Sequence, residues 1–344
     1  MKRLVLAVAT LSLVLIAAIA EARPFTDSAG RTVEVPDKIG RILAAGPPAS
    51  VLIYTLAPDK LAGWVREPKK PELPYLLAPT RELPTYGRLT GKGGTANVEA
   101  VLAAKPDLII DVGTINDTYV SLADKVQQQT GIPYILIDGS FAKTAETYKL
   151  LGQLIGAEDR AALLADYSQS TLKELQEKLK SIPQDKRPHV YFGRGPEGME
   201  TGLAGSINVE ILEATGAVNV AAAIGRGGLT NVSLEQILSW NPDIIIAADD
   251  KFVKAAKSDA RWADVKAVKT GRVFAAPSLP FGWFDTPPGV NRLIGIRWLE
   301  HLFYPDTFNG DLRSDVRTFY NLFYQVNLTD EQLDELLAGA ATSQ

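Results

Sequence analysis

The chain contains no cysteine and only two histidines among its 344 residues. The absence of cysteine excludes disulfide bonds and also excludes a lipid attached to an N-terminal cysteine. His189 opens a strand-like segment and His301 lies in an apolar helical segment, so neither has the setting of a metal ligand. The sequence therefore shows no ligand set for a bare transition metal, and we expect any metal to arrive already chelated.

A basic surface is missing as well. The 36 Lys and Arg residues are outnumbered by 40 Asp and Glu residues, which gives a net charge of -4. Proteins that bind nucleic acid usually carry a basic face or tail, so nucleic acid is not expected as a partner.

Motifs for catalysis and nucleotide binding are also lacking. The sequence has no Gly-x-Ser-x-Gly elbow and no histidine placed for nucleophilic chemistry. The glycine-rich segment 87–94 does not have the spacing of a phosphate-binding loop. We therefore do not expect an enzyme. An exported two-lobed hydrolase or oxidoreductase is the alternative, because Asp111, Asp249 and Asp250 end strand-like segments.

Only the N-terminus has an apolar run that approaches membrane length. Lys2 and Arg3 precede the run from Leu4 to Ala20, and Ala22 completes a small-residue cleavage pattern. This arrangement predicts a secretory signal peptide over residues 1–22, with a membrane anchor as the alternative that the short run disfavours. We expect the mature protein to be exported, soluble and free of a lipid anchor.

One helix and strand pattern occurs twice in the chain. Residues 97–110 align without a gap on residues 233–246, which begin 136 positions later. In each copy a short amphipathic helix with an acidic first turn ends at a Pro-Asp corner and leads into an apolar strand, as in parallel α/β sheets. The separation is too long for a solenoid, so we predict two similar lobes with a cleft between them.

The remaining patterns give the domain organisation of this α/β fold. Alternating strand and helix patterns predict a first lobe over residues 23–155 and a second lobe over residues 183–344. Between them, helical periodicity continues from Thr144 to about Ser181, and the linking helix is assigned to residues 156–182. Other predicted elements are an opening hairpin at 24–41, a strand at 61–65, a loop over 66–96 and a helix at 259–268.

The position of the strands predicts where a ligand binds. Ligands of open parallel sheets bind beyond the carboxyl ends of the strands, where loops vary and helix N-termini point inwards. Applied to both lobes, this rule selects Pro47, Pro48, Gly113, Thr114, Arg194, Glu197, Trp283, Phe284 and Asp285 as ligand-binding candidates.

Two further arginines lie beside glycines just before the repeated helices. Arg88, preceded by Tyr86, lies before the first copy, and Arg226 lies before the second. Glycine allows the backbone to approach a ligand, and a guanidinium pairs with carboxylate or other oxyanion oxygens. Together with Arg194 they predict an anionic ligand, with an ion pair inside one lobe as the alternative for each arginine. Tyr86 is expected to offer a ring edge or a hydroxyl.

The segment that contains Trp283 and Phe284 is the apolar counterpart of these arginines. We expect this proline-flanked aromatic run to be exposed, so that a flat ligand stacks on it. Packing against the C-terminal helices is the alternative.

The order of these motifs resembles that of periplasmic substrate-binding proteins of ABC importers for iron-siderophore, haem, cobalamin and related metal chelates. The resemblance rests on the opening segment 26–36 followed by Arg41-Ile42, on both Pro-Asp strand entries, on the linking helix and on the closing segment 280–292. It covers nearly all of the mature chain. It implies two Rossmann-like lobes with central parallel sheets, bridged by one long helix, with the ligand between them and modest closure on binding.

The same resemblance implies a function. The protein would be a soluble, monomeric periplasmic component, with no cofactor of its own, that captures a metal chelate and delivers it to a membrane permease. A ferric siderophore is the first candidate, and haem, cobalamin, a nickel chelate or an oxyanion such as molybdate or tungstate are the alternatives. In such proteins one acidic residue on each lobe docks on the permease, which here implies Glu235 for the second lobe and Glu99 or Asp117 for the first.

Overall fold

The computed structural model describes residues 22–90, 96–338 and 340. Residues 1–21 of the predicted signal peptide and residues 91–95 of the glycine-rich loop therefore lie outside the described residues. Within the described ranges no helix has the length and apolar character needed to cross a membrane. The fold is mixed α/β, with one parallel sheet in each half of the chain, as predicted.

The first lobe begins with an antiparallel hairpin and continues as a three-stranded parallel sheet in the order β3-β4-β5. Its strands are β1 (Ala22–Thr26), β2 (Thr32–Pro36), β3 (Ile42–Ala44), β4 (Leu108–Gly113) and β5 (Tyr134–Asp138). Its first three helices are α1 (Pro47–Leu56), α2 (Val98–Ala104) and α3 (Asp117–Thr130). In the central strand Ile109 packs into one apolar cluster and its neighbours Leu108 and Ile110 into another, so both faces of the sheet are covered.

Two helices, not one, follow the first sheet. They are α4 (Thr144–Ile155) and α5 (Glu158–Leu179), so the helical pattern from Thr144 to about Ser181 is not one helix, and α5 corresponds to the linking helix assigned to residues 156–182. Gly156 adopts a left-handed conformation with φ of 70°, which ends α4. A Cβ on Gly152 would lie 2.4 Å from that of Ala161, so the two helices pack closely against each other. The 22 residues of α5 span about 33 Å and connect the lobes.

The second lobe contains a four-stranded parallel sheet in the order β11-β10-β6-β8 and a small antiparallel pair of β7 and β9. Its strands are β6 (His189–Gly193), β7 (Glu200–Gly202), β8 (Val218–Asn219), β9 (Leu229–Asn231), β10 (Ile244–Ala247) and β11 (Val273–Ala275). Its helices are α6 (Glu210–Ala214), α7 (Leu234–Trp240), α8 (Asp250–Ser258), α9 (Lys266–Lys269), α10 (Arg292–Phe303), α11 (Leu312–Phe319) and α12 (Asp330–Leu337).

Two predicted elements are wrong. The segment 61–65 is not a strand, because it changes partner: Ala62 N–H bonds to Ile42 on one side, whereas Trp64 N–H bonds to Pro84 on the other. The predicted helix at 259–268 is instead a single turn over Ala260–Trp262 followed by α9, which begins at Lys266. Asp259 caps the single turn directly after α8, and α9 starts separately at Lys266, so two short elements occur where the sequence pattern indicated one helix.

An aromatic cluster joins the two lobes. It consists of Tyr54 and Trp64 of the first lobe and Phe281 and Tyr324 of the second, and we call it the aromatic joint. The ring centroids of Tyr54 and Phe281 are 5.8 Å apart, and the Tyr54 hydroxyl donates a hydrogen bond of 2.9 Å to the Tyr324 carbonyl oxygen. Each ring buries on the order of 150–250 Å², so this joint is a strong and mostly non-directional link between the lobes.

Candidate functional site

The loops of the two lobes meet at the base of the cleft. Pro48 and Val112 of the first lobe and residues 288–290 of the second line one small cavity of about 20 Å³. That volume holds little more than one water molecule. The carboxyl ends of β3 and β4 therefore face the segment that leads into α10, which is where the strand rule places a ligand.

The first wall of the cleft is formed by the ends of β3 and β4. Pro47 and Pro48 are half-buried in the first turn of α1, a position that suits proline because no backbone N–H is needed there. Gly113 is half-buried at the end of β4, and Thr114 after it is exposed. The structure thus places these four candidates on the cleft side of the first sheet.

The loop that carries Arg88 is anchored to the same wall. The N–H groups of Leu89 and Thr90 donate to the carbonyl oxygen of Ala45, at 2.7 and 3.1 Å. The Thr90 hydroxyl donates to Asp111 at 3.0 Å, and a Cβ on Gly46 would lie only 2.5 Å from that hydroxyl oxygen. Arg88 itself is half-buried beside these anchors.

Asp111 is a buried acid within the apolar central strand β4. Its carboxylate accepts hydrogen bonds from Thr90 and, at 3.3 Å, from the hydroxyl of Tyr134. Burial raises the pKa of Asp111, although both hydrogen bonds oppose the shift. In the sequence, the signal for this buried group was a single carboxylate within an otherwise apolar strand.

Tyr86 is occupied within its own lobe. Its hydroxyl accepts a hydrogen bond of 3.1 Å from the guanidinium of Arg41. A Cβ on Gly63 would lie 2.8 Å from its ring, so the ring packs against the backbone there. These contacts account for the position of Tyr86 without a ligand.

Arg194 has two acidic partners inside the second lobe. Its Nε donates to the carboxylate of Asp285 at 2.5 Å, and the same guanidinium forms an ion pair with Glu200. Asn208 donates to the other oxygen of Asp285 at 2.5 Å. The charge of Arg194 is therefore compensated by its own lobe, which was the alternative interpretation, and the buried Asp285 is a partner of Arg194.

Arg226 and Glu197 are both exposed. Glu197 lies at the tip of a turn whose flanking residues, Gly195 and Gly198, both have positive φ. The guanidinium of Arg226 lies 3.5 Å from the position that a Cβ on Gly205 would occupy. Among residues 22–90 and 96–338, Arg226 forms no ion pair, so its charge faces solvent.

The expectation of an exposed aromatic run is wrong. Trp283 is 0% exposed and Phe284 is 1% exposed. The indole N–H of Trp283 donates to the hydroxyl of Tyr320 at 3.1 Å, and Phe284 stacks on Phe192 with centroids 4.1 Å apart. Helix α10 covers the run at Gly295, where a Cβ would lie 1.9 Å from the Trp283 carbonyl oxygen.

A larger cavity of about 690 Å³ is lined mainly by helix residues. It lies between α4, α5 and α6 and has an apolar floor that includes Leu172 and Leu175. Its lining also includes Phe141, which follows the carboxyl end of β5, and Glu210 of α6. In the part of the chain that the structure describes, no group of three His, Cys, Asp or Glu side chains is arranged to hold a metal ion.

The three acidic residues assigned to permease docking are all exposed. Glu99, Asp117 and Glu235 lie in the first turns of α2, α3 and α7. A hydrogen bond from Ser233 lowers the pKa of Glu235. A negative charge in these positions also interacts favourably with the helix N-terminus.

Two parallel α/β lobes that meet at the carboxyl ends of their strands define a two-lobed ligand-binding protein. The chain belongs to the periplasmic binding protein family, whose model matches residues 57–279.

The similar proteins agree with this assignment. An ABC transporter solute-binding protein from Sulfurospirillum deleyianum is 31% identical, with a TM-score of 0.83 over 92% of this chain and 99% of that one. The molybdate-binding protein MolA of Haemophilus influenzae is 26% identical over 89% of this chain and 92% of its own length. Its molybdate-bound structure has a TM-score of 0.73 and covers 89% of this chain and 99% of that one.

Two curated relatives match a shorter part of the chain. The uncharacterised ABC transporter substrate-binding lipoprotein YvrC of Bacillus subtilis is 31% identical over 62% of this chain and 66% of its own length, just under two thirds. The haem uptake protein IsdE of Staphylococcus aureus is 25% identical over 61% of this chain and 72% of its own. With the family match, these similarities make the chain a substrate-binding protein of an ABC importer.

Proposed function

We propose that this protein captures an anionic ligand between its lobes and delivers it to a membrane permease without chemical turnover. The observation that carries the proposal is the meeting of Pro48 and Val112 with residues 288–290 at the cleft base, directly beyond the strand ends. The proposed ligand is a metal chelate, with a ferric siderophore first, as the resemblance of the sequence implies. A chelate brings its own metal, in keeping with a chain that has no cysteine and two histidines.

Arg88 and Arg226 are the proposed anion contacts, one from each lobe. Arg226 is exposed, and Arg88 is held half-buried by the loop anchored on Ala45. Arg194 contributes less in this proposal, because Asp285 and Glu200 already compensate its charge. A guanidinium to anion hydrogen bond is worth about 1.5–3 kcal/mol, so Arg→Ala at either position is expected to weaken binding about ten- to a hundredfold.

A tetrahedral oxyanion is the second candidate ligand. It is favoured by the match to MolA over most of both chains. Molybdate or tungstate needs the same arginines as a ferric chelate and a smaller cleft. The haem alternative has only the partial match to IsdE in its favour.

Isothermal titration calorimetry on the purified protein tests both candidates. The panel is a ferric hydroxamate, a ferric catecholate, haem, molybdate and tungstate, with sulfate as the anion control. Saturable binding to one class, weakened in Arg88→Ala and Arg226→Ala but not in Arg313→Ala on the exposed face of α11, is expected. If both arginine variants bind the ligand as tightly as wild type does, the proposed anion contacts are wrong.

Export and docking complete the proposal. We propose a periplasmic monomer without a lipid anchor, since the chain has no cysteine to carry one, although the relative YvrC is a lipoprotein. The proposed contacts with the permease are Glu235 on the second lobe and Glu99 on the first, with Asp117 as the rival on the first. Their exposure in the first turns of their helices supports this assignment.

A further inference from the structure

A buried arginine of the second lobe reaches into the first. Arg292, in the first turn of α10, is 1% exposed. Its Nη1 donates to the Ile207 carbonyl oxygen and to the carboxylate of Glu210, at 3.0 and 3.1 Å, and its Nη2 donates to the Gly139 carbonyl oxygen in the first lobe at 3.3 Å. The guanidinium carbon also lies 4.8 Å from the centroid of Phe141, again in the first lobe.

Glu210 makes the reciprocal contact. Both of its carboxylate oxygens accept from the backbone N–H of Phe141, at 3.0 and 3.1 Å. Arg292 and Glu210 thus hold opposite ends of one first-lobe turn, residues 139–141, while they pair with each other. We call this set of contacts the polar joint.

The turn that they hold contacts the proposed ligand loop, which is the segment of Gly113 and Thr114 at the end of β4. The Gly139 N–H donates to the Gly113 carbonyl oxygen at 2.9 Å. A Cβ on Gly139 would lie 2.9 Å from the Gly113 Cα, so only glycine permits this approach. Movement of the turn would therefore be passed directly to Gly113 and Thr114.

We propose that Arg292 and Glu210 are positioning residues that orient the first-lobe ligand loop against the second lobe. The aromatic joint links the lobes mainly by apolar burial, with one directed hydrogen bond from Tyr54 to the Tyr324 carbonyl oxygen. The guanidinium of Arg292 makes several directed hydrogen bonds at a different point, and the polar joint therefore adds to the relative orientation of the lobes at the turn 139–141. The relevance of this loop to a ligand rests on the proposed function, whereas the coupling of the lobes does not.

The test compares three variants without any ligand. Arg292→Met and Glu210→Gln each remove one charge, and the double variant removes both. Breaking one partner of a buried pair leaves an uncompensated charge, so the single variants are expected to melt at lower temperature and the double variant to recover much of that loss. If Arg292→Met does not fold, Glu210→Gln and the double variant carry the test. The control is Arg31→Met with Asp27→Asn, an ion pair between a half-buried arginine and a buried acid that lies entirely within the first lobe.

The decisive measurement is the distance between the lobes by pulsed electron spin resonance. The chain has no cysteine, so Lys125→Cys and Lys257→Cys on the exposed faces of α3 and α8 provide two unique label sites. We expect a narrow distribution in the otherwise wild-type protein and in the control, and a broadened or shifted one in the double variant despite its recovered stability. In the double variant, the hydrogen exchange rate of peptides covering residues 112–116 and 137–141 should rise about tenfold, whereas that of residues 244–250 should not change.

A double variant with wild-type distances and wild-type exchange would overturn the proposal, because the pair would then serve stability alone. Failure of every compound in the ligand panel would overturn the proposed ligand but would leave the distance result as it stands. The two outcomes are therefore separable.

Discussion

The two lobes share one helix and strand unit, and the structure repeats its backbone closely. Asn97 caps α2 by accepting from an N–H three residues later, and Ser233 caps α7 in the same way. Both helices then end at a left-handed residue with φ of 45°, Lys105 in the first lobe and Asn241 in the second. In each lobe the strand that follows is flanked on both sides by parallel strands.

The chemistry of the two units differs. At the aligned position the first lobe has Asp111, a buried acid tied to the arginine loop through Thr90, whereas the second lobe has Ala247. The buried acid of the second wall, Asp285, comes instead from the segment after β11 and pairs with Arg194. The repeat thus specifies the framework of the cleft, and residues outside it specify the polar groups.

The largest expected effect on stability concerns the packing of α10 against the buried segment of the second lobe that contains Trp283. In Gly295→Ala the new methyl group would collide with the Trp283 carbonyl oxygen, and backbone cannot yield cheaply. We expect a loss of more than about 3 kcal/mol in the free energy of unfolding, although alanine in a helix otherwise stabilises by up to about 1 kcal/mol. Urea unfolding measures it. Gly113→Ala in the first wall, where an added Cβ has no described atom within 4 Å, is the control and should change stability little.

The next effect separates the two buried acids. Asp285→Ala leaves Arg194 short of one partner in a largely buried site, and we expect a loss of about 2–3 kcal/mol. Asp111→Ala removes the hydrogen-bond acceptor of uncharged groups, among them the hydroxyls of Thr90 and Tyr134, and a loss of about 1–2 kcal/mol is expected. Equal losses in urea unfolding would mean that the ion pair adds nothing beyond ordinary hydrogen bonds.

A smaller effect depends on pH and belongs to the second lobe. Burial raises the pKa of Glu300 in α10 to about 7, against the influence of Arg297, which also pairs with Glu174 of the linking helix. Between the unfolded pKa of about 4.5 and about 7, the unfolded state releases this proton while the folded state keeps it. Stability contributed by protonated Glu300 is therefore present below about pH 4.5 and is lost as pH rises towards 7.

Comparison with Glu300→Gln isolates that contribution. We expect wild type to lose about 2 kcal/mol relative to the variant between pH 4.5 and 7, and the difference to stay constant at higher pH. Thermal unfolding across this range measures it. Parallel curves for the two proteins would show that Glu300 is ionised in the folded state throughout.

The difference between the lobes also explains what could be predicted from sequence. The sheets and the repeat were predictable because buried parallel strands read as apolar runs and Pro-Asp corners mark their starts. Gly156 was a weak point of the helical pattern, but the apolar spacing of α4 and α5 continues across it, so the sequence did not show that its left-handed φ ends one helix there.

Side-chain partners at the cleft were less predictable than its position. The strand rule selected Arg194 and Trp283, but the sequence does not show that Asp285 compensates the first or that α10 covers the second. Both outcomes depend on contacts between segments far apart in the chain. The polar joint was missed for the same reason, since Arg292 and Gly139 are 153 positions apart.

The smallest expected effect on stability concerns the acids in which the two copies agree, Glu99 and Glu235. If they only favour their helix N-termini, alanine at each should cost about 0.3–1 kcal/mol and leave transport normal. If they dock on the permease, the double variant should fold and bind ligand normally but lose uptake in reconstituted vesicles. Glu331→Ala, in the first turn of α12, is the matched control for a helix-terminal acid.

The rival residue makes this a test of whether the lobes are equivalent in function as well as in backbone. A permease that contacts both repeats alike requires Glu99 and Glu235, and each single variant should then reduce uptake. If Asp117→Ala reduces uptake and Glu99→Ala does not, the first lobe docks through α3. The two lobes would then be alike in backbone but not in docking. If the Glu99→Ala/Glu235→Ala double variant binds ligand and supports full transport, the duplicated acids are not the docking pair. Loss of both docking contacts would otherwise reduce uptake.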